Sequence, residues 1–253
     1  MKEKSELVGW TIPVLDHGFV RLIDHMGTDE RIVEAARISY KSPSKGPDQD
    51  KKLLHYLYKN KHTSPFEMCK VTLNIKLPIF VMRQYVRHRM QNLNEMSARY
   101  TELPQEFYIP EKWRHQDTKN KQGSVVMVDW DVVKTHYMGG KFGLGTEECD
   151  THDLFSKLLL EHCDRSYDLY EWYIEQGVAR EMARMVLPIN IYTEIYACWD
   201  LKNLMHFLQL REDAHAQFEI QEFARAIKII VKELFPVTIQ AFDKFKWKME
   251  EVA

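Results

Sequence analysis

The clearest alternation in the chain is CKVTLNIKL, residues 69–77, where Cys69, Val71, Leu73, Ile75 and Leu77 are apolar and Lys70, Thr72, Asn74 and Lys76 are polar. Successive side chains of a strand point to opposite faces, so a period of two predicts a half-buried strand. Pro78 follows in the place of a first helical residue, and PIFVMRQYVRH sets Ile79, Met82 and Val86 at helical spacing for the core side. On another side Gln84, Arg87 and His88 share a face at i, i+3 and i+4, and Arg83 lies one turn before Arg87. A strand thus runs into a helix that presents amide, guanidinium and imidazole groups together.

Elsewhere TDERIVEAARISY predicts a helix capped by Thr28 or Asp29, with acids in the first turn where the helix dipole favours them. DQDKKLLHYLYKN predicts a second helix. From Glu111 to about Asp153 the chain turns polar and Gly-rich around SVVMVDWDVV, which reads as a short hairpin within an insertion or flap, about 111–153. The 25 residues DLFSKLLLEHCDRSYDLYEWYIEQG form a long amphipathic helix closed at Gly177. AREMARMVLP is a short helix stopped by Pro188, INIYTEIYACW a strand, and LKNLMHFLQLR a helix with the stripe Leu201, Leu204, Met205 and Leu208. Helices follow through EIQEFARAIKIIVKELF and TIQAFDKFKWK. Helices outweigh strands in mixed order, which predicts an α+β fold in a single domain over 1–253.

The formal net charge of -2 excludes nucleic-acid binding through a general basic excess, so an anionic ligand must be held locally. No apolar run reaches the roughly 20 residues of a membrane span, and MKEKSELVGW has no apolar signal core, so a cytoplasmic protein is expected. Cys69, Cys149, Cys163 and Cys198 contain no C-x-x-C pair, which fits a reducing compartment and packing or idle thiols. Neither a G-x-G-x-x-G turn nor a P-loop is present.

The local exception to that balance is RQYVRHRMQNLNEMSARY, residues 83–100, with Arg83, Arg87, Arg89, Arg99 and His88 against one carboxylate, Glu95. Guanidinium forks match phosphate oxygens and stack on planar rings, and Asn and Gln read the edges of a base. The stretch is either a nucleotide site or a solvated, salt-bridged face. Two smaller basic clusters, Arg180 with Arg184 and Arg211 with His215, read alone as ion pairs with Glu181 or Glu212. His206 with His215, and Cys149 with His152, lack the spacing of a zinc helix, so no metal is expected. Ser97 has no nucleophile elbow and no cysteine lies in the basic stretch, which points to an external cofactor for any difficult chemistry.

At RHRMQNLNEMS the chain resembles the R-H-R-x7-S signature of the flavin-dependent thymidylate synthase (ThyX) family. HTSPFE, PIFVMRQYVRHR, EFYIP, AREMARMVLP, LMHFLQLR and DAHAQFEIQ are similar to its other blocks in the same order, from about Val14 onward. The resemblance implies a mixed or antiparallel sheet flanked by long helices, assembled as a homotetramer that binds FAD without a covalent bond at subunit interfaces. It implies reductive methylation of dUMP to dTMP, with 5,10-methylenetetrahydrofolate as carbon donor and NADPH reducing the flavin, and no enzyme cysteine attacking the pyrimidine. Neither nucleic acid nor membrane is an implied partner.

Carried over by motif, the dUMP set is Gln84, Tyr85, Val86, Arg87, Glu95, Met96, Ser97, Ala98, Arg99, Arg184 and Arg211, with Arg211 the catalytic cation that favours ionisation at N3 of the uracil. The FAD set is Ser64, Arg87, His88, Arg89, Met90, Glu95, Asp200, Leu201, Lys202 and His206; Ser39, His62, Asn94 and His215 are further, weaker contacts. The chain departs from the family at Asn92, where Ser is usual, at Ala98, where Gly is frequent, and at DLK, 200–202, where Asn-x-Arg is common. The last change replaces a fork by a point charge and an amide by an acid, which is expected to weaken FAD affinity. The rival readings are a non-catalytic nucleotide- or single-strand RNA-binding module, with Tyr85 and Tyr100 as stacking rings, and a structural oligomer with no small ligand.

Overall fold

The computed structural model describes residues 4–121, 123–126 and 151–245. They form two compact units, Met1–Met96 with Thr193–Ala253, and Ser97–Tyr192. The first is built on a five-stranded sheet in the order β1 (Thr11–Val14), β2 (Gly18–Met26), β3 (Lys70–Pro78), β7 (Tyr192–Asp200), β4 (Asn92–Glu95). β1 and β2, β2 and β3, and β4 and β7 pair antiparallel. The fold is α+β with an antiparallel sheet.

The period of two in β3 works as expected on its apolar side: Cys69, Val71, Leu73, Ile75 and Leu77 are all fully buried. They share one core with Val20 and Leu22 of β2 and Ile195, Ala197 and Trp199 of β7. The other face is not uniformly wet. Asn74 is buried, its amide donating to Glu194 Oε1 at 2.8 Å and to the Ile195 carbonyl at 3.2 Å, so β3 and β7 are tied by a side chain as well as by their ladder.

The α-helices described in this unit are α1 (Asp29–Arg37), α2 (Pro47–Lys59), α3 (Ile79–Tyr85), α6 (Leu201–Arg211), α7 (Phe218–Leu234) and α8 (Pro236–Phe245). α7 packs on β1, β2 and α3. Pro78 is the N-cap of α3, so the helix starts one residue later than expected. Its core stripe is Val81, Met82 and Tyr85, while Ile79 is half-buried and Val86 exposed, because α3 ends at Tyr85 before Val86 can turn inward.

Thr28 is the N-cap of α1 yet makes no side-chain cap bond. Asp29 serves another helix. Its buried carboxylate accepts the backbone N–H of Val237 (2.8 Å) and Thr238 (3.0 Å) and the Thr238 hydroxyl (2.6 Å), satisfying the open first turn of α8. Between β2 and α1 a sharp turn needs Gly27, with φ +87, where an added Cβ would meet Cys69 Sγ at 2.6 Å.

In the second unit α4 (Thr151–Glu175) ends at Gly177 with φ +79, as its sequence predicts. α5 (Arg180–Ala183) passes into a 3-10 turn, Arg184–Val186. Tyr167 of α4 donates its hydroxyl to the Leu103 carbonyl at 2.9 Å and pins the segment after Tyr100. β5 (Arg114–Gln116) and β6 (Ser124–Val126) make a hairpin whose first strand lies before SVVMVDWDVV and whose second takes the first three residues of that patch. The rest of that stretch and Cys149 lie outside the described residues. No described helix is long and apolar enough to cross a membrane.

Candidate functional site

α3 is short because its apolar stripe runs out at Tyr85, and the chain then turns to supply β4. The turn carries Arg87, Arg89 and Met90 outward and leaves His88 half-buried: Arg83, Arg87 and Arg89 are exposed, and among the described residues none of them makes an ion pair. Glu95, the one acid of the stretch 83–100, is occupied otherwise, since it accepts the Thr193 hydroxyl at 2.8 Å. Cations without carboxylate partners favour an anion of some other origin.

Three residues assigned to ligands have structural partners. Gln84 donates its side-chain amide to Gln217, the N-cap of α7. Tyr85 is fully buried; its hydroxyl accepts Trp199 Nε1–H at 2.8 Å, and burial raises its pKa above the ordinary phenol range. Met96 donates its backbone N–H to the Glu194 carbonyl at 2.9 Å. The Tyr85 ring is therefore withdrawn from any stacking platform.

Arg211 ends α6 and turns its Nε–H onto His88 Nε2 at 2.9 Å. Burial lowers the guanidinium pKa from its usual value. The His88 ring lies 4.9 Å from Phe207 and 6.4 Å from Trp199, centre to centre, with His206 at 6.2 Å. Burial, then the charge of Arg211, then His206 push the His88 pKa down to about 4, so the imidazole is neutral at pH 7. His206 is itself held below its ordinary value by burial and by Lys202, one helical turn away.

The DLK segment has a local job. Asp200 is the N-cap of α6, accepting Asn203 N–H at 2.9 Å and its side-chain amide at 2.7 Å. Lys202 Nζ donates to Asn203 Oδ1 at 3.0 Å, and Leu201 is buried with its N–H on the Cys69 carbonyl. Ser64, His62, Ser39, Asn94 and His215 are all exposed. His62 meets the edge of Tyr56, and His215 Nδ1 lies 2.8 Å from Asp213 Oδ1.

Ser97, Ala98, Arg99 and Arg184 belong to the second unit. Ala98 is buried, and Arg99 pairs with Glu181 at 3.0 Å while its N–H reaches Ser97 Oγ at 3.3 Å. Arg180 turns to Glu102 at 3.1 Å, and Arg184 is exposed with no ion pair among the described residues. Glu212 takes Lys228 at 3.0 Å. Glu181 and Glu212, expected to pair within their own clusters, thus pair with Arg99 and Lys228 of other elements.

Phe207, Trp199 and Gln217 escaped notice in the sequence although they touch assigned residues. Phe207 stands three after Leu204, a spacing that widens the apolar stripe toward His88. Cys163 is buried and its thiol is pushed up by that burial, while Cys69 Sγ faces the Thr28 carbonyl, so neither is set up as a nucleophile. Among the described residues no three His, Cys, Asp or Glu side chains gather as metal ligands.

Residues 21–237 match a family described as thymidylate synthase complementing protein. The chain is 46% identical over 235 residues to a flavin-dependent thymidylate synthase of Thermus thermophilus, covering 92% of this chain and 78% of that one. It is 44% identical to the enzyme of that name from Kosmotoga olearia, over 93% and 94% of the two chains. Among solved structures, the UMP/dUMP methylase PolB of Streptomyces cacaoi, bound with 5-Br dUMP, superposes with a TM-score of 0.75 at 29% identity, covering 92% of this chain and 98% of that one.

Proposed function

The chain belongs to the flavin-dependent thymidylate synthase family, and from that membership we propose that it methylates dUMP to dTMP with 5,10-methylenetetrahydrofolate and NADPH as co-substrates. The observation that carries the site assignment is the pair of exposed guanidinium groups of Arg87 and Arg89, which make no ion pair among the described residues and flank an imidazole bonded to Arg211. Cations clear of carboxylates among the described residues suit phosphate groups.

The same donor set fits FAD. Arg87, Arg89 and Lys202 offer charge to its pyrophosphate, with Ser64, His88, Met90, Glu95, Asp200, Leu201 and His206 around them. Asp200 stays within its own helix cap, accepting both donors of Asn203. Once reduced by NADPH, bound flavin would supply the hydride that completes the methyl group. Gln84, Tyr85, Val86, Arg87, Glu95 and Met96, together with Ser97, Ala98, Arg99, Arg184 and Arg211, are assigned to dUMP; Tyr85, being buried, acts through its backbone. Arg211 stabilises the uracil anion as its N3 proton leaves.

We further read 1–253 as one synthase domain with an insertion at about 111–153, forming a cytoplasmic homotetramer with active sites at subunit interfaces. The test is the visible spectrum of the protein after incubation with excess FAD and desalting. A retained oxidised-flavin spectrum that bleaches on anaerobic NADPH is the expected result. A colourless protein that binds single-stranded RNA with steep salt dependence contradicts the reading.

A further inference from the structure

An arginine side chain has donors and no acceptor, so the imidazole nitrogen that meets Arg211 Nε–H at 2.9 Å must offer a lone pair. His88 is therefore the tautomer with its proton on Nδ1. The ring cannot swing freely: Phe207 lies nearly perpendicular at 75°, and Trp199 behind it is tied to Tyr85. Among the described residues, the charged and titratable groups that act on it are Arg211 and His206, with Lys202 beyond, all from α6 and none of them a carboxylate that would stabilise an imidazolium.

We propose that His88 is a positioning residue for Arg211, accepting its Nε–H and fixing the guanidinium plane so that the two terminal nitrogens are presented to the pyrimidine. This rests on the reading of Arg211 as the cation that favours N3 ionisation. The bond uses the one guanidinium nitrogen nearest the chain and leaves the fork Nη1 and Nη2 for a ligand. Rotation about the last side-chain bonds would move those donors by an ångström or more, and misplacement of that size costs on the order of 100-fold in a chemical step.

The contact itself is read in the wild-type holoenzyme by 15N NMR of the imidazoles at pH 7. The expected spectrum has His88 protonated on Nδ1 alone, with an Nε2 signal that shifts in Arg211→Ala; a proton on Nε2 overturns the proposal. The role is read from His88→Ala, His88→Gln, Arg211→Ala and the His88→Ala/Arg211→Ala double variant, all at saturating FAD, with FAD affinity measured separately. We expect kcat of His88→Ala to fall about 10- to 100-fold with a smaller change in KM for dUMP, and His88→Gln, whose amide oxygen accepts, to recover part of the loss. In the Arg211→Ala background the His88→Ala effect on turnover should vanish, whereas any effect on FAD affinity should persist.

An equal loss of turnover in both backgrounds overturns the positioning role. If turnover of Arg211→Ala is too slow to measure, the same cycle is read in dUMP affinity. A wild-type kcat in Arg211→Ala refutes the role of Arg211 and, with it, any positioning through it, whatever the NMR result; loss in Arg211→Ala with none in His88→Ala refutes only the role of His88.

Discussion

Arg211 and His88 stand 123 residues apart and meet through one hydrogen bond. Each is visible in the sequence as part of a motif, but their pairing is not, since no local spacing encodes a contact of that range. The same is true of Arg99, whose partner Glu181 comes from another element. The pairing has a pH consequence. His88 is held at about 4 in the folded chain against an ordinary 6.5, so the unfolded chain takes up the proton first. Its contribution to stability is complete above pH 6.5 and is lost as pH falls toward 4. Urea denaturation at pH 7 and pH 5 should show a larger drop for wild type than for His88→Gln; equal drops would count against the neutral imidazole. For Arg99 the expected result is weaker dUMP binding in Arg99→Ala, by about tenfold or more, the scale of one lost charge-assisted hydrogen bond. An unchanged dissociation constant by calorimetry would remove Arg99 from the site.

Elements show where periodicity succeeds and where it stops. β3 and the stripe of α6 are legible because burial on one face imposes the pattern directly. The inner face of α3 is displaced from its expected positions because seven residues hold barely two turns, too few for a stripe to fix its own phase. The service of Asp29 to α8 is hidden for a different reason: an acid in the first turn of a helix normally serves that helix, and the N–H groups it satisfies lie 208 and 209 residues on. Asp29→Ala should lower the unfolding free energy by about 2 kcal/mol, since it strips buried donors of a charged acceptor. Chemical denaturation measures this, and a loss within error of zero would mean that water replaces the carboxylate at the α8 terminus.

At the scale of the whole molecule, the near-neutral charge conceals an uneven distribution, with arginines on one turn that make no ion pair among the described residues while Glu95, the acid of the same stretch, accepts from Thr193. All four residues of the edge strand β4 are exposed, an open row of backbone groups that soluble proteins usually cover. Assembly into a homotetramer predicts a light-scattering mass near four times the 30.2 kDa of one chain. A monomer mass across micromolar concentrations would contradict it. The most direct test of the account is chromatographic detection of dTMP after anaerobic incubation of the protein with FAD, NADPH, 5,10-methylenetetrahydrofolate and dUMP. We predict dTMP in wild type, its loss when FAD or the folate is omitted, and its near-abolition in Arg211→Ala with FAD still bound. Absence of dTMP from a folded, flavin-loaded wild-type protein would contradict the account.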